Sequence, residues 1–218
     1  MTNSFRDEIS KRGFAFASQH CPHLDTVAVA SALGRPMNPL RGGLVQDLIP
    51  RASATPNTYS GIYGLDSFPF HTDLAHWRLP PRYILLRCII GHAKVPTLLL
   101  DGLSVIESVT PDILTRAIFR PRRPLDGRLN LLRLCELTEK GYCFRWDEVF
   151  LKPASTIGTF AHKCVAEKIL KDEHMSIVLK QTGDTLLIDN WRMLHSRPAI
   201  PSESQNRRIQ RIYLETLH

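Results

Sequence analysis

The sequence predicts a mainly β fold with flanking helices, arranged as a β-sandwich or jelly roll. Two observations lead to this fold class. Short apolar segments of strand length follow one another, separated by Gly, Pro, Asn and Asp. Stretches with apolar residues at helical spacing are few, and they lie near the beginning and in the middle of the chain. We therefore expect helices to cover or interrupt a fold built from strands.

Each element follows from its local sequence. Strands are expected at 43–49, 59–64, 68–73, 82–90, 97–101, 131–137, 141–147, 175–180, 185–189 and 207–216. Helices are expected at 3–12, 24–33, 102–119 and 159–173. The third helix should break at Thr110, which can cap a second half that begins at Pro111.

Length and composition indicate one ordinary globular domain. The chain has 218 residues, of which 43% are hydrophobic and 22% charged, enough for a substantial core over 1–218. Residues 102–130, rich in Arg and Pro between two groups of strands, are the expected lid insertion. The first residues lack the apolar stretch of a secretory signal, and no apolar run is long enough to cross a membrane.

Cysteine usage and charge restrict the classes of function. The five cysteines are an odd number without a C-x-x-C pair, which argues against a disulfide framework or a cysteine zinc site and favours the cytoplasm. The formal charge is +7, but the basic residues are dispersed, with their densest cluster at 116–128. We expect this cluster to form a solvated loop or a lid that attracts an acidic small-molecule substrate, and nucleic-acid binding is the less favoured alternative.

The segment F-P-F-H-T-D carries the first part of a metal-binding pattern. In an extended strand His71 and Asp73 point to the same face, so an imidazole and a carboxylate can bind one metal ion. A second histidine, His195, follows an apolar strand and a polar turn far downstream. Two histidines and one carboxylate on one side of a metal form the facial triad of non-haem Fe(II) oxygenases.

An arginine-rich strand follows His195. Strand alternation places Arg207 and Arg211 on one face and Arg208 on the other. A buried pair of arginines behind a metal site requires anions, and a planar guanidinium can bind a carboxylate through two parallel hydrogen bonds. Arg207 is the first choice for this role, and Arg208 stays an alternative in the other register.

Together these motifs resemble the taurine dioxygenase/clavaminate synthase-like family. The resemblance is carried by F-P-F-H-T-D, P-P-R-Y-I-L-L-R-C, V-P-T-L-L-L-D-G, L-L-I-D-N-W-R-M-L-H-S-R and R-R-I-Q-R-I-Y-L, and it is continuous over 58–101 and 183–214. It implies a double-stranded β-helix, the cupin-like jelly roll. It also implies Fe(II) bound by His71, Asp73 and His195. The cosubstrate 2-oxoglutarate would be held by Arg207 and Thr97, with Arg211 as the second arginine.

The reaction implied by the resemblance uses Fe(II), 2-oxoglutarate and O2 and releases succinate and CO2. Hydroxylation of a C–H bond is the expected outcome, with desaturation or ring closure as variants, on an amino acid, small acid or natural-product intermediate. Substrate contacts are expected near the metal strand and in F-R-W-D, which resembles a substrate-binding segment of the family: Ser60, Tyr63, His76, Trp77, Arg145 and Asp147. The alternatives are a cupin-like metal-binding protein and a dioxygenase that needs no 2-oxoglutarate.

Overall fold

A computed structural model describes residues 2–39, 42–56, 58–124 and 127–218. The helices are α1 (Thr2–Arg12), α2 (Thr26–Leu33), α3 (Tyr59–Tyr63), α4 (Gly102–Val109), α5 (Pro111–Arg116) and α6 (Thr156–Lys171), with a 3-10 turn at Ser202–Ser204. The strands are β1 (Phe14–Ala17), β2 (Gly34–Met37), β3 (Gln46–Leu48), β4 (Phe68–His71), β5 (Tyr83–Ile90), β6 (Thr97–Asp101), β7 (Ile118–Pro121), β8 (Leu132–Arg133), β9 (Cys135–Thr138), β10 (Gly141–Phe144), β11 (Leu151–Pro153), β12 (Met175–Ile177), β13 (Thr185–Asp189), β14 (Met193–Arg197) and β15 (Arg208–Leu217). Among the helices in these ranges, none has the length and apolar character to cross a membrane.

The larger sheet has the strand order β1-β13-β5-β15-β2, and β3 also pairs with β15. All of these pairs are antiparallel. Side chains alternate across β5: Ile84 and Leu86 face a core shared with the second sheet, and Leu85 packs against α1 and α2. Burial on both faces explains why the sequence of β5 is a nearly continuous run of apolar residues.

The second sheet has the strand order β12-β6-β14-β4. Leu99 on β6 and Met193 on β14 pack into the core shared with the larger sheet. On the opposite face Leu100 and Leu194 join a further core, formed with α4, α5, α6 and the small sheets β11-β7-β8 and β9-β10. Two antiparallel sheets packed face to face, with helices outside, confirm the predicted jelly-roll class.

The structure differs from the sequence-based elements in a specific way. Strand 59–64 was predicted wrongly, because these residues form α3. The Thr58 hydroxyl accepts a hydrogen bond from the Gly61 amide at 3.0 Å and caps this helix. Gly64, with a φ of 53°, ends it. A local capping signal therefore outweighs the β propensity of the two tyrosines.

Several short strands were not indicated by the sequence pattern. They are β1, β2, β7, β11 and β14. Each has three to five residues, too few for a clear alternation of apolar and polar residues, and β2, β7 and β11 contain proline. Their positions are determined by pairing with distant strands, which a local pattern does not contain.

The predicted lid contains two different kinds of structure. Its first part, α4 to β7, buries Val105, Leu114 and Phe119 in the core beside α6. The part after Pro121 carries arginines, and Arg122 and Arg123 contribute to the wall of a cavity of about 790 Å³. Residues 125 and 126 lie outside the described residues. The first part therefore belongs to the core, and a lid stays a prediction for the segment after Pro121.

Candidate active site

The two histidines of the proposed metal site lie directly opposite each other on neighbouring strands. Register pairs His195 of β14 with His71 of β4, and the centroids of the two rings are 4.5 Å apart. Side chains of directly paired residues lie on the same face of a sheet. His195 is therefore part of a strand, rather than a residue that follows a turn, and the antiparallel pairing is what brings it to His71.

Asp73 lies in the turn after β4, two residues beyond the end of the strand. Asn190 holds its backbone: the side-chain oxygen accepts from the Asp73 amide at 2.7 Å, and the amide group donates to the Asp73 carbonyl at 3.0 Å. Asp73 Oδ1 lies 3.6 Å from His71 Nε2 and 3.5 Å from His195 Nε2. One ligand atom from each of the three residues lies within 4.8 Å of the others. This spacing suits a shared metal ion.

The second oxygen of the Asp73 carboxylate is fixed from the larger sheet. Oδ2 accepts hydrogen bonds from Arg211 at 2.7 Å and from the Tyr213 hydroxyl at 3.0 Å. Burial alone would raise the pKa of Asp73, but the charge of Arg211 and the two neighbouring histidines hold it well below the ordinary value. The carboxylate is therefore ionised, with Oδ1 directed toward the histidines. Such outer contacts orient metal ligands in proteins.

Hydrogen bonding and stacking also orient His71. Its Nδ1–H donates to the Pro69 carbonyl at 2.9 Å, which leaves Nε2 as the lone-pair nitrogen facing Asp73 and His195. The ring of Tyr59 stacks on the imidazole with centroids 4.3 Å apart. Burial lowers the pKa of His195, and the neighbouring His71 lowers it further. A neutral imidazole is the form that binds a metal ion.

A cavity of about 790 Å³ opens onto the three residues. This volume is within the range of small-molecule sites in proteins, roughly 300–1,000 Å³. Thr97, at the beginning of β6, and Arg207, just before β15, lie in its wall. The cavity therefore joins the three candidate metal ligands to Arg207 and Thr97, which the sequence assigned to the cosubstrate.

Arg207 is a buried cation with no counter-charge among the described residues. It is 6% exposed, its Nε has no hydrogen-bond partner, and no ion pair joins it to a carboxylate in the part of the chain that the structure describes. Burial lowers the pKa of Arg207 to about 10. The pKa of Arg197 is likewise lowered to about 10, first by burial and then by the charge of Arg207. Two guanidinium groups at one end of a cavity favour an anion there.

A carboxylate lies in another part of the same cavity. Asp147 is 3% exposed, and its Oδ1 accepts from the amides of Val149 and Phe150 at 2.8 and 2.7 Å. Burial raises the pKa of Asp147, and no lysine or arginine within the described ranges forms an ion pair with it. Tyr59 and Phe150 stand beside it with their rings in edge contact. This part of the cavity suits a hydrogen-bond donor or a cation.

Solved structures of similar fold include non-haem iron oxygenases. An asparagine oxygenase in complex with Fe(II), 2S,3S-3-hydroxyasparagine and succinate matches with a TM-score of 0.72 and 17% identity, over 99% of this chain and 78% of that one. A variant of the oxygenase OrfP in complex with (3S)-hydroxy-L-Arg matches with a TM-score of 0.73 and 19% identity, over 98% and 78%. No family model and no curated protein matches the sequence.

The chain has the fold of these non-haem iron oxygenases. A third structure of this fold, PvcB, an Fe, alpha-ketoglutarate dependent oxygenase from an isonitrile synthetic pathway, matches with a TM-score of 0.68 and 14% identity, over 98% of this chain and 80% of that one. At such low identity the likeness concerns the fold, and the roles of individual residues in this oxygenase fold depend on the geometry above.

The oxygenase fold places the predicted site residues unequally. The cavity wall includes His71, Asp73, Thr97, His195, Arg207 and Arg211, and also Ser60, His76, Trp77 and Asp147. Tyr63 lies behind Tyr59, with stacked rings 5.8 Å apart, and is not among the lining residues. Arg145 is wholly buried and bonds to backbone carbonyls and Glu136 instead of facing the cavity. Arg211 points at Asp73, so it contacts a proposed metal ligand rather than standing free for the cosubstrate.

Sequence reasoning missed several residues of the site. Tyr59 was assigned only to a strand, and Asn190, Arg197 and Tyr213 were read as parts of motifs without a role. The available signal was position: Asn190 and Arg197 lie on either side of His195, and Tyr213 continues the alternation of Ile209 and Arg211 on β15.

Proposed function

We propose that this protein is an Fe(II)- and 2-oxoglutarate-dependent oxygenase that hydroxylates a C–H bond of an amino-acid-type small molecule. The observation that carries the proposal is one cavity with three features. It contains the cluster of His71, Asp73 and His195, and beside it the uncompensated cation Arg207. It also contains the carboxylate of Asp147, which forms no ion pair with a described lysine or arginine.

The donor set fits iron. Two imidazole nitrogens and one carboxylate oxygen, on one side of a common centre, leave the remaining positions for cosubstrate and oxygen. Arg211 and Tyr213 hold the second oxygen of Asp73, so the carboxylate presents a single oxygen to the metal. When bound, iron supplies the oxidising chemistry in which one atom of O2 enters the substrate and the other enters succinate as 2-oxoglutarate loses CO2.

The cosubstrate fits the basic end of the cavity. 2-Oxoglutarate is a dicarboxylate with a keto acid at one end, which can chelate the metal, and a distal carboxylate at the other. Arg207 can bind the distal carboxylate in a bidentate manner, and the hydroxyl of Thr97 can donate a further hydrogen bond. The neighbouring charge of Arg197 adds to the attraction.

The substrate is proposed to carry a nitrogen group. Asp147 accepts hydrogen bonds from it, while Tyr59 and Phe150 exclude water around it. Relatives in fold are bound to hydroxylated asparagine and hydroxylated arginine, both of which have a nitrogen-bearing side chain. These likenesses support an amino-acid substrate, and the arginines after Pro121 favour one that also carries a carboxylate.

We further propose that residues 1–218 act as a single oxygenase domain, with the segment from Arg122 to about 130 as a lid. Arg122 lies over the ring of Phe150, with its guanidinium carbon 5.9 Å from the ring centroid. In this proposal the segment closes over bound substrate. A cytoplasmic location is also proposed, because all five cysteines are free thiols.

The proposal is tested by incubating the purified protein with Fe(II), ascorbate, 2-oxoglutarate and each of the common L-amino acids in turn, under isotopically labelled O2. We expect one or more amino acids to stimulate succinate release and to gain one labelled oxygen atom. The Asp73→Ala protein should do neither, whereas Arg208→Ala should behave like the wild type because Arg208 pairs with Asp47 at the surface. Substrate oxidation without 2-oxoglutarate, or full activity of Asp73→Ala, would contradict the proposal.

A further inference from the structure

Arg145 is the only one of the predicted substrate contacts whose side chain is fully buried away from solvent and cavity in the described part of the chain. It follows β10 and begins the segment that leads to Asp147. Its amide donates to the Leu134 carbonyl at 2.8 Å. The next residue, Trp146, is joined to Thr72 through its carbonyl and its amide, at 2.8 and 3.1 Å. The segment that carries Arg145 is thus tied directly to the loop that carries Asp73.

The Arg145 guanidinium binds the other end of that loop. One terminal nitrogen donates to the carbonyls of Ala75, at 3.3 Å, and Trp77. The other donates to the carbonyl of Arg78 and to the carboxylate of Glu136, both at 3.1 Å. Three carbonyls of one short loop therefore converge on a single buried cation. A planar fork of donors can satisfy them together, which the compact ammonium group of lysine cannot do.

The loop held in this way forms a wall of the cavity. Leu74, His76 and Trp77 all line it, and Leu74 has a φ of 55°, in the left-handed region that side chains rarely adopt. A strained turn keeps its shape only when the surroundings fix it. Asn190 and Thr72 fix the loop on the side of the metal, and Arg145 fixes it on the side of the substrate.

We propose that Arg145, paired with Glu136, is a positioning residue that holds loop 74–78 as the substrate-facing wall, although it does not touch the substrate. This inference rests on the proposed function for the location of the substrate. It separates two halves of the site: the cosubstrate half depends on Arg207 and β15, and the substrate half depends on Arg145. A change at Arg145 should therefore weaken substrate binding and leave iron and 2-oxoglutarate binding intact.

The experiment compares Arg145→Lys with Arg87→Lys. Arg87 is a matched control, because it is also buried and also donates to the carbonyls of a loop, those of His20, Cys21 and Leu24, but it does not line the cavity. A third variant, Glu136→Gln, removes only the charge partner at a half-exposed position, so that folding is preserved. Amide hydrogen exchange is measured along the whole chain of each protein.

We expect exchange in the peptide 73–80 to rise roughly tenfold or more in Arg145→Lys, since hydrogen bonds to a charged group are lost. Glu136→Gln should show a smaller rise in the same peptide. Arg87→Lys should show its rise around 20–24. Unchanged exchange at 73–80 in Arg145→Lys would mean that Arg145 does not hold the loop. An equal rise across β5 and β13 would mean a general loss of stability. Either result would overturn the positioning role.

A binding measurement connects the loop to function. The anaerobic Fe(II) protein is titrated with 2-oxoglutarate, followed by its visible charge-transfer absorption, and then with L-asparagine and L-arginine as probes. In Arg145→Lys the affinity for 2-oxoglutarate should stay within about twofold, while the apparent KM of an amino acid that is turned over rises roughly tenfold and kcat changes much less. Equal losses for cosubstrate and amino acid would contradict the proposal. If the wild-type protein with Fe(II) formed no complex with 2-oxoglutarate, the proposed function would be refuted instead. The exchange data would still decide the role of Arg145.

Discussion

Replacing Arg207 by alanine should remove most of the affinity for 2-oxoglutarate. In the folded protein burial lowers the pKa of this arginine from 12.5 to about 10, which corresponds to about 3 kcal/mol of unfavourable free energy for the charged form. A carboxylate bound in a bidentate manner recovers free energy of this size. Since each 1.4 kcal/mol is a factor of ten, the dissociation constant should rise about 100-fold in Arg207→Ala.

The assay is the anaerobic titration of Fe(II)-loaded protein with 2-oxoglutarate, with Arg208→Ala as the matched control. Arg208 is the next residue, but it pairs with Asp47 at the surface, so its loss should change the dissociation constant by less than about twofold. Iron content should be the same in both variants, because neither change removes a ligand. A large loss in Arg208→Ala together with a small one in Arg207→Ala would refute the assignment of the strand face.

Thermal stability gives an independent check of the same reasoning. Without cosubstrate, Arg207→Ala should melt no lower than the wild type, because it removes a buried charge that has no counter-charge among the described residues. Added 2-oxoglutarate should raise the Tm of the wild type and have little effect on the variant. A marked destabilisation of Arg207→Ala in the absence of cosubstrate would indicate a structural role instead.

Three further predictions concern other parts of the molecule. Asp147→Asn should raise the KM of an amine-bearing substrate roughly tenfold and leave the affinity for 2-oxoglutarate unchanged, which steady-state kinetics can establish. Asp184→Ala should destabilise the fold by about 2–4 kcal/mol in urea unfolding at neutral pH, since the carboxylate accepts hydrogen bonds from Ser18, Gln19, Lys180 and Gln181. These hydrogen bonds outweigh the effect of burial and lower the pKa of Asp184. The contribution of Asp184 to the free energy of unfolding is therefore present at neutral pH and is lost as the pH falls below about 4. The alanine variant should lose less stability than the wild type over that interval. Limited proteolysis should cut first between Pro121 and residue 131, and 2-oxoglutarate with substrate should slow the cut; equal resistance in both states would contradict the lid.

The sequence predicted the parts of the site that lie on regular strands. Ile209 and Arg211 share a face because β15 is extended, and the cavity wall includes both, together with Arg207 just before the strand. His71 was found from its place at the end of an aromatic strand. Its direct pairing with His195 depends on contacts between distant strands, which periodicity along the chain does not contain.

Outside the regular strands, the alternation of side chains along the chain predicted the wrong side-chain orientation or none. Arg145 follows the end of β10, and its side chain turns toward loop 74–78 instead of the cavity. Tyr59 was placed on a strand, yet helix α3 is what turns its ring onto His71. Asp73 lies beyond β4 and reaches the histidines because Asn190 and Arg211 hold it there. In each case side chains from remote segments determine the geometry.

The central claim is that His71, Asp73 and His195 bind one Fe(II) that 2-oxoglutarate chelates. The most direct measurement is iron content together with the visible absorption of the anaerobic Fe(II) and 2-oxoglutarate complex, in the wild type and in His195→Ala. We predict one iron per chain and a clear absorption band in the wild type, and the loss of both in the variant. Full iron content with an unchanged band in His195→Ala, or no band in the wild type at saturating iron and cosubstrate, would contradict the claim.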